Sequence, residues 1–139
     1  MWIKSYSKMV EGIDINRIWD VWTDVNEWHT WQDDIEYAKL TGEFKQGSII
    51  HFKPKGGPNI KIELTEVRPN SIFIDLTRFP LAKMYDSHEL IDHGDTVEIK
   101  TTIKIEGPLS FLWRKLVAEN IVNGLEEQTD KLIKRITNV

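Results

Sequence analysis

The chain contains no cysteine. That excludes disulfides, thiolate metal sites and a cysteine nucleophile, and it fits a cytoplasmic location. No apolar run is long enough to span a bilayer, and the opening MWIKSYSKMV has no apolar core of signal-peptide length. Positive charge is in slight deficit: the net charge is −4, and the two signs are interspersed without a basic stripe. Nucleic acid is therefore not an expected partner. Stable membrane insertion is not expected either, and nothing indicates a protein partner. Several catalytic signatures are missing. There is no GxSxG nucleophile elbow, and the histidines show no HxxxH-type metal spacing. Pro54-Lys55-Gly56-Gly57-Pro58 lacks the Gly-Lys-Ser/Thr ending of a phosphate loop, so it reads as a hairpin tip over whatever lies beneath. Neither a metal nor a cofactor is expected.

What is present is ordinary in bulk: 40% hydrophobic and 29% charged residues suit one globular domain, residues 1–139. Six tryptophans stand out: Trp2, Trp19, Trp22, Trp28, Trp31 and Trp113. They read either as large core and rim residues or, in part, as walls of an aromatic-friendly pocket.

The period of the sequence changes along the chain. A first strand is expected over 2–10. Asp14 then reads as an N-cap, with Ile13 and Ile18 as a hydrophobic staple. Ile15, Ile18, Trp19, Trp22 and Val25 mark a short helix, and residues 25–31 a second short helix or turn. From residue 34 the period is two. Strands are expected over 34–41, 47–54, 59–67, 71–78, 82–92 and 95–106, separated by Gly-, Pro-, Asn- and Asp-rich turns. Short links imply an antiparallel meander.

Alternation assigns faces. Val97, Ile99, Thr101, Ile103 and Ile105 should face the core. A four-residue Asp92–Asp95 loop would pair Leu90 with Val97, His88 with Ile99, Asp86 with Thr101 and Met84 with Ile103. Met84, Asp86, His88 and Leu90 would then point inward. Pairing across Arg68-Pro69-Asn70 puts Ile60, Ile62 and Leu64 on one side with Ile72, Ile74 and Leu76. Lys61, Glu63, Asp75, Glu98, Lys100 and Lys104 would form a charged outer face, which argues against a protein-docking role.

From Pro108 to Val139 no further proline occurs, and apolar residues recur at three- and four-residue steps: Leu109, Leu112, Trp113, Leu116, Val117, Ile121, Leu125, Leu132, Ile133 and Ile136. Such a helix would be about 45 Å long, against a radius of gyration of about 14 Å for a domain of this size. It must cross the molecule and cover the concave side of the sheet. The fold class is thus α+β. A seven-stranded curved antiparallel sheet wraps a long C-terminal helix, with two short helices after strand 1.

This layout and several residues resemble the START/Bet v 1-like helix-grip superfamily, including its bacterial polyketide cyclase/dehydrase-like group. The residues that carry the likeness are Ile18-Trp19-Asp20-Val21-Trp22-Thr23-Asp24, Trp28 and Trp31, Leu40-Thr41-Gly42, and Gln46-Gly47-Ser48. Glu66-Val67-Arg68-Pro69, His88-Glu89-Leu90, Gly94-Asp95-Thr96-Val97 and Gly107-Pro108 complete it. The resemblance implies a deep apolar cavity between sheet and helix, used for hydrophobic small molecules or lipids. Some members carry out cyclisation or dehydration there, and others only bind or carry a ligand.

Two constellations bear on chemistry. Asn120, Gly124 and Gln128 step by four beside the apolar stripe of the helix. Either the amides bind a ligand or ordered water and Gly124 leaves room, or all three lie at the stripe's edge against solvent. Asp86 and His88 are neighbours on one strand face. Either the carboxylate orients His88 for acid–base work, or the two form a buried polar pair satisfied by Thr101 or water. His29, His51 and His93 read as surface or loop residues.

The expected partner is a hydrophobic small molecule bound by Phe52, Ile62, Ile74, Met84, His88, Ile99, Thr101, Asn120, Gly124 and Gln128. The alternative is a polyketide cyclase- or dehydratase-type enzyme with His88 and Asp86 as its acid–base pair.

Overall fold

The computed structural model describes residues 1–137. Strand β1 (Trp2–Glu11) leads into helix α1 (Ile15–Thr23) and a 3-10 helix (Val25–Thr30). Asp14 caps α1 by accepting a hydrogen bond from the Asn16 backbone N–H at 2.9 Å. Six strands follow: β2 (Ile35–Leu40), β3 (Ile49–Pro54), β4 (Ile60–Arg68), β5 (Ile72–Phe79), β6 (Ala82–Asp92) and β7 (Thr96–Glu106). They pair in the order β1-β7-β6-β5-β4-β3-β2, all antiparallel. β2 to β7 form the expected meander, and β1 closes the far edge beside β7.

Two registers differ from expectation. Between β6 and β7 the pairs are Leu90↔Ile99, His88↔Thr101, Asp86↔Ile103 and Met84↔Ile105, two residues away from those expected. The cause is a tighter turn. Gly94 takes a positive φ of 90°, the Asp92 carboxylate accepts its N–H at 2.8 Å, and His93 N–H donates to the Thr96 carbonyl at 2.9 Å. A slip of two leaves every side chain on its face, so the inward set is unchanged.

The β4–β5 difference does alter the faces. Leu64 pairs with Asp75, but Glu66 then pairs with Ile74, because a β-bulge at Thr65 interrupts the ladder. The bulge reverses parity between the two strands. Phe73, Asp75 and Thr77 face inward, while Ile72, Ile74 and Leu76 take the other side. Asp75 therefore does not belong to the outer charged face. It is only 6% exposed.

The terminal helix is present but irregular. It comprises α2 (Ser110–Trp113), a π-helical turn (Arg114–Ala118), α3 (Glu119–Asn123), a break at Gly124, and α4 (Leu125–Thr137). The expected continuation to Val139 lies outside the described residues. Gly107 launches it with φ 113°; a Cβ there would sit 2.7 Å from the Leu81 carbonyl oxygen, so only glycine fits. The π turn has a legible cause. Inward residues Trp113, Val117, Ile121, Leu125 and Thr129 repeat every four positions. In a straight α-helix each such step rotates the face by about 40°. A wider π turn absorbs part of this drift and keeps the run on one side. The same shift leaves Leu112 (39% exposed) and Leu116 (57%) facing solvent rather than the core.

Two buried clusters flank the middle of the molecule. The larger joins α1, the 3-10 helix, all seven strands and α4, and includes Trp19, Trp22, Trp28, Phe73, Leu132 and Ile136. The smaller gathers Met84, Ile103, Ile105, Ala118 and Leu125. Among the described residues, no helix is long and apolar enough to cross a membrane.

Candidate functional site

Between sheet and terminal helix lies a cavity of about 480 Å³, within the range of small-molecule pockets. Its walls are mostly apolar: Trp22, Trp28, Phe52, Ile62, Phe73 and Ile99 are typical. Pro54 and Pro58 place the β3–β4 hairpin tip at its border. Every wall residue expected from the sequence lines it except Ile74, which the Thr65 bulge turns away.

The helix contributes the polar steps foreseen. Gln128 Nε2 donates to Gln32 Oε1 at 2.8 Å, and Gln32 is only 7% exposed. Asn120 is exposed, and its amide reaches back to the Leu116 carbonyl at 3.5 Å, so it stands at an opening. A Cβ on Gly124 would meet nothing closer than the Ile121 carbonyl oxygen at 3.6 Å. An alanine there would make only ordinary van der Waals contacts, and Gly124 itself lines the cavity.

A polar cluster sits in the apolar wall. On β6, Asp86 Oδ1 lies 3.0 Å from His88 Nε2; on β5, Asp75 Oδ2 lies 3.9 Å from the same nitrogen. The His88 ring stacks on Phe73 at 4.4 Å between centroids and meets the edge of Trp22 at 5.6 Å. These rings fix the imidazole and exclude water from its faces. The Asp86 Oδ1 contact is close but poorly aligned for hydrogen bonding, and that buried atom has no satisfactory hydrogen-bond partner among the described residues. Such an atom costs about 1–3 kcal/mol when left unsatisfied.

Proton affinities follow from this crowding. Burial holds the Asp75 carboxyl well above the usual carboxylate range, and the Asp86 charge adds to this while His88 partly offsets it. Burial, the strongest influence on His88, acts to lower its pKa. The Asp86 charge and contact together with Asp75 prevail, and the pKa is raised. The cluster therefore holds protons on Asp75 and His88 more tightly than exposed groups of the same kind would.

Asp75, Asp86 and His88 each offer one ligand atom, all within 4.8 Å of one another. This group could accept a divalent cation, although their spacing in sequence carries no metal motif. Asp75 and Gln32 were not foreseen. A strand-parity signal for Asp75 existed, but the bulge inverted it; Gln32 lies in a loop that has no period to read. His29, His51 and His93 are exposed, and His93 contacts Glu98 at 3.0 Å.

A hypothetical protein of Helicobacter pylori superposes with a TM-score of 0.75 at 17% identity, covering 96% of this chain and 86% of that one. A START superfamily protein from Mycobacterium smegmatis gives 0.72 at 12% identity over 97% and 99%. Norcoclaurine synthase from Thalictrum flavum gives 0.74 at 14% identity over 97% and 86%. The chain has the START/Bet v 1-like helix-grip fold. No protein-family model matches the sequence, and no curated protein does. At these identities the likeness establishes the fold alone.

Proposed function

We propose that the chain, acting as one domain over residues 1–139, binds a hydrophobic small molecule or lipid in its central cavity. The observation that carries this reading is the cavity itself: about 480 Å³ of space, walled by tryptophan, phenylalanine and isoleucine, in the middle of a small protein. Packing alone would fill such a volume. Burying apolar ligand surface there yields about 25 cal/mol per Å². Gln32, Gln128, Thr101 and the Asp75–Asp86–His88 cluster supply the few polar groups that orient a ligand. The absence of cysteine supports a cytoplasmic location.

The test is native mass spectrometry of protein purified from its own source, followed by titration of the emptied protein with an apolar fluorophore. A co-purified hydrophobic molecule, or saturable uptake with quenching of tryptophan fluorescence, is the expected result. A protein that emerges empty and takes up no apolar probe would sink the reading.

One observation favours a second reading. His88 and Asp86 are 3.0 Å apart in the cavity wall, which suits a polyketide cyclase- or dehydratase-type enzyme with His88 as proton donor. His88→Ala and Asp86→Asn would then abolish turnover of candidate polyketides. Retained binding without turnover by the wild-type protein rules this reading out.

A further inference from the structure

The cavity wall contains no lysine and no arginine. It contains three carboxyl residues, Asp34, Asp75 and Asp86, and a single group able to carry positive charge, His88. That imidazole is already engaged by Asp86 at 3.0 Å. Asp75 is 6% exposed, and its nearest cationic atom is His88 Nε2, 3.9 Å away. Asp86 Oδ1 is buried against His88 without a well-aligned hydrogen bond, while the Asp86 side chain as a whole keeps 21% exposure. Both carboxyl groups thus border the cavity, and no lysine or arginine of its wall partners either.

This asymmetry discriminates between ligand head groups. A carboxylate or phosphate would be stripped of water beside two aspartates, with no free cation to receive it. A protonated amine would find acceptors already in place, with the rings of Phe73 and Trp22 beside them. Resting on the reading of the cavity as an apolar-ligand site, we infer that its ligand is an organic cation: an apolar body carrying a protonated amine, with the nitrogen held between Asp75 and Asp86.

The test compares three probes of one chain length: decylamine, decanol and decanoate. Each is titrated below its micelle concentration into the full-length protein, at neutral pH, in EDTA and moderate salt, reading the fluorescence of the cavity tryptophans. EDTA removes any divalent cation that the same carboxylates would hold. Decylamine should bind at least tenfold more tightly than decanoate, with decanol between them. Asp86→Asn, and separately Asp75→Asn, should cut this preference to about threefold or less while decanol binding persists, which shows the cavity intact. Asp20→Asn and Glu126→Gln, both exposed and outside the cavity wall, should leave the preference unchanged. Equal or tighter binding of decanoate, with decanol still bound, overturns the charge selectivity alone. A preference that survives both cavity variants but falls in the surface variants overturns it too, by assigning it to the outer surface. If none of the three probes binds, the apolar-ligand reading itself fails, and this inference with it.

Discussion

Residues 110–123 and α4 belong to one helical run, yet they treat their apolar side chains differently. In α4, Leu125, Leu132 and Ile136 are between 2% and 4% exposed, and Thr129 is 5% exposed. In the earlier stretch only Ala118 is fully buried, while Phe111 is 62% exposed and Leu116 57%. Polar contacts show the same division. α4 is tied to β1 through Lys8–Asp130 at 2.7 Å, and to α1 through Arg17, which donates to the Ile136 carbonyl at 2.7 Å. It is tied to the loop before β2 through Lys131–Asp33 and Gln128–Gln32. The earlier stretch is held mainly at its start, where Trp113 stacks on Phe79 and donates to the Pro80 carbonyl at 2.9 Å. Its π turn and the Gly124 break border the cavity. The second half both anchors the fold and, through Gln128, Thr129 and Leu132, walls the cavity; the first half walls it with far fewer buried side chains, which makes it the more adaptable part.

The largest expected effect tests the anchor. Leu132→Ala should destabilise the protein by about 2–5 kcal/mol in chemical denaturation, because it removes a buried side chain and enlarges the cavity that Leu132 lines. A loss below about 1 kcal/mol would remove the distinction between the halves.

Next comes the wall's polar cluster. Folded Asp75 and His88 both hold their protons more tightly than their ordinary values of 3.8 and 6.5 imply. The folded state therefore binds more protons than the unfolded chain, and stability falls as pH rises. Asp75's contribution begins to fade above 3.8 and is lost through its raised folded pKa; that of His88 is complete below 6.5 and is lost above it. Denaturation midpoints should decline between about pH 5 and pH 9, and Asp75→Asn should flatten that decline. An unchanged slope in this variant would show that Asp75 does not titrate differently on folding.

A smaller effect sharpens the boundary between the halves. Gly124→Ala should raise stability by about 0.5–1 kcal/mol, since its φ of −96° is accessible to alanine and the unfolded chain loses freedom. The same variant should weaken uptake of an apolar probe, because it adds a methyl group to a residue that lines the cavity. Stabilisation with undiminished uptake would mean that Gly124 serves the helix and not the cavity.

The smallest effect is the counterpart of the first. Leu116→Ala should change stability by no more than about 0.5 kcal/mol. Hydrogen exchange should show faster amides over 110–123 than over α4, and equal protection would contradict an adaptable wall.

Much of the fold was legible because periodicity is local. The two-residue alternation of Val97–Ile105 and Met84–Leu90 assigned their faces correctly even though the β6–β7 register was two residues off, since side-chain direction repeats every two. Five residues of the cavity wall, Met84, Asp86, His88, Ile99 and Thr101, follow from those faces. Ile74 and Asp75 were assigned to the wrong sides for one reason. A bulge at Thr65 adds a residue to β4, and its one trace in the sequence is that Val67, three positions after Leu64, breaks the alternation of Ile60, Ile62 and Leu64. The helix was legible as a helix, but a step of four sustained from Trp113 to Thr129 was the only sign of the π turn. Gln32 had no signal, because a loop residue becomes buried only when another element packs over it.

The sequence by itself determined the order of elements, the inward face of β6 and β7, and the need for one long helix to cover the sheet. Each depends on hydrophobic spacing within a few residues of itself. Tertiary structure decided which polar groups meet. Asp75 and His88 lie on adjacent strands, joined by pairing that the sequence specifies only through the sum of many weak contacts, and one bulge determines whether they share a face.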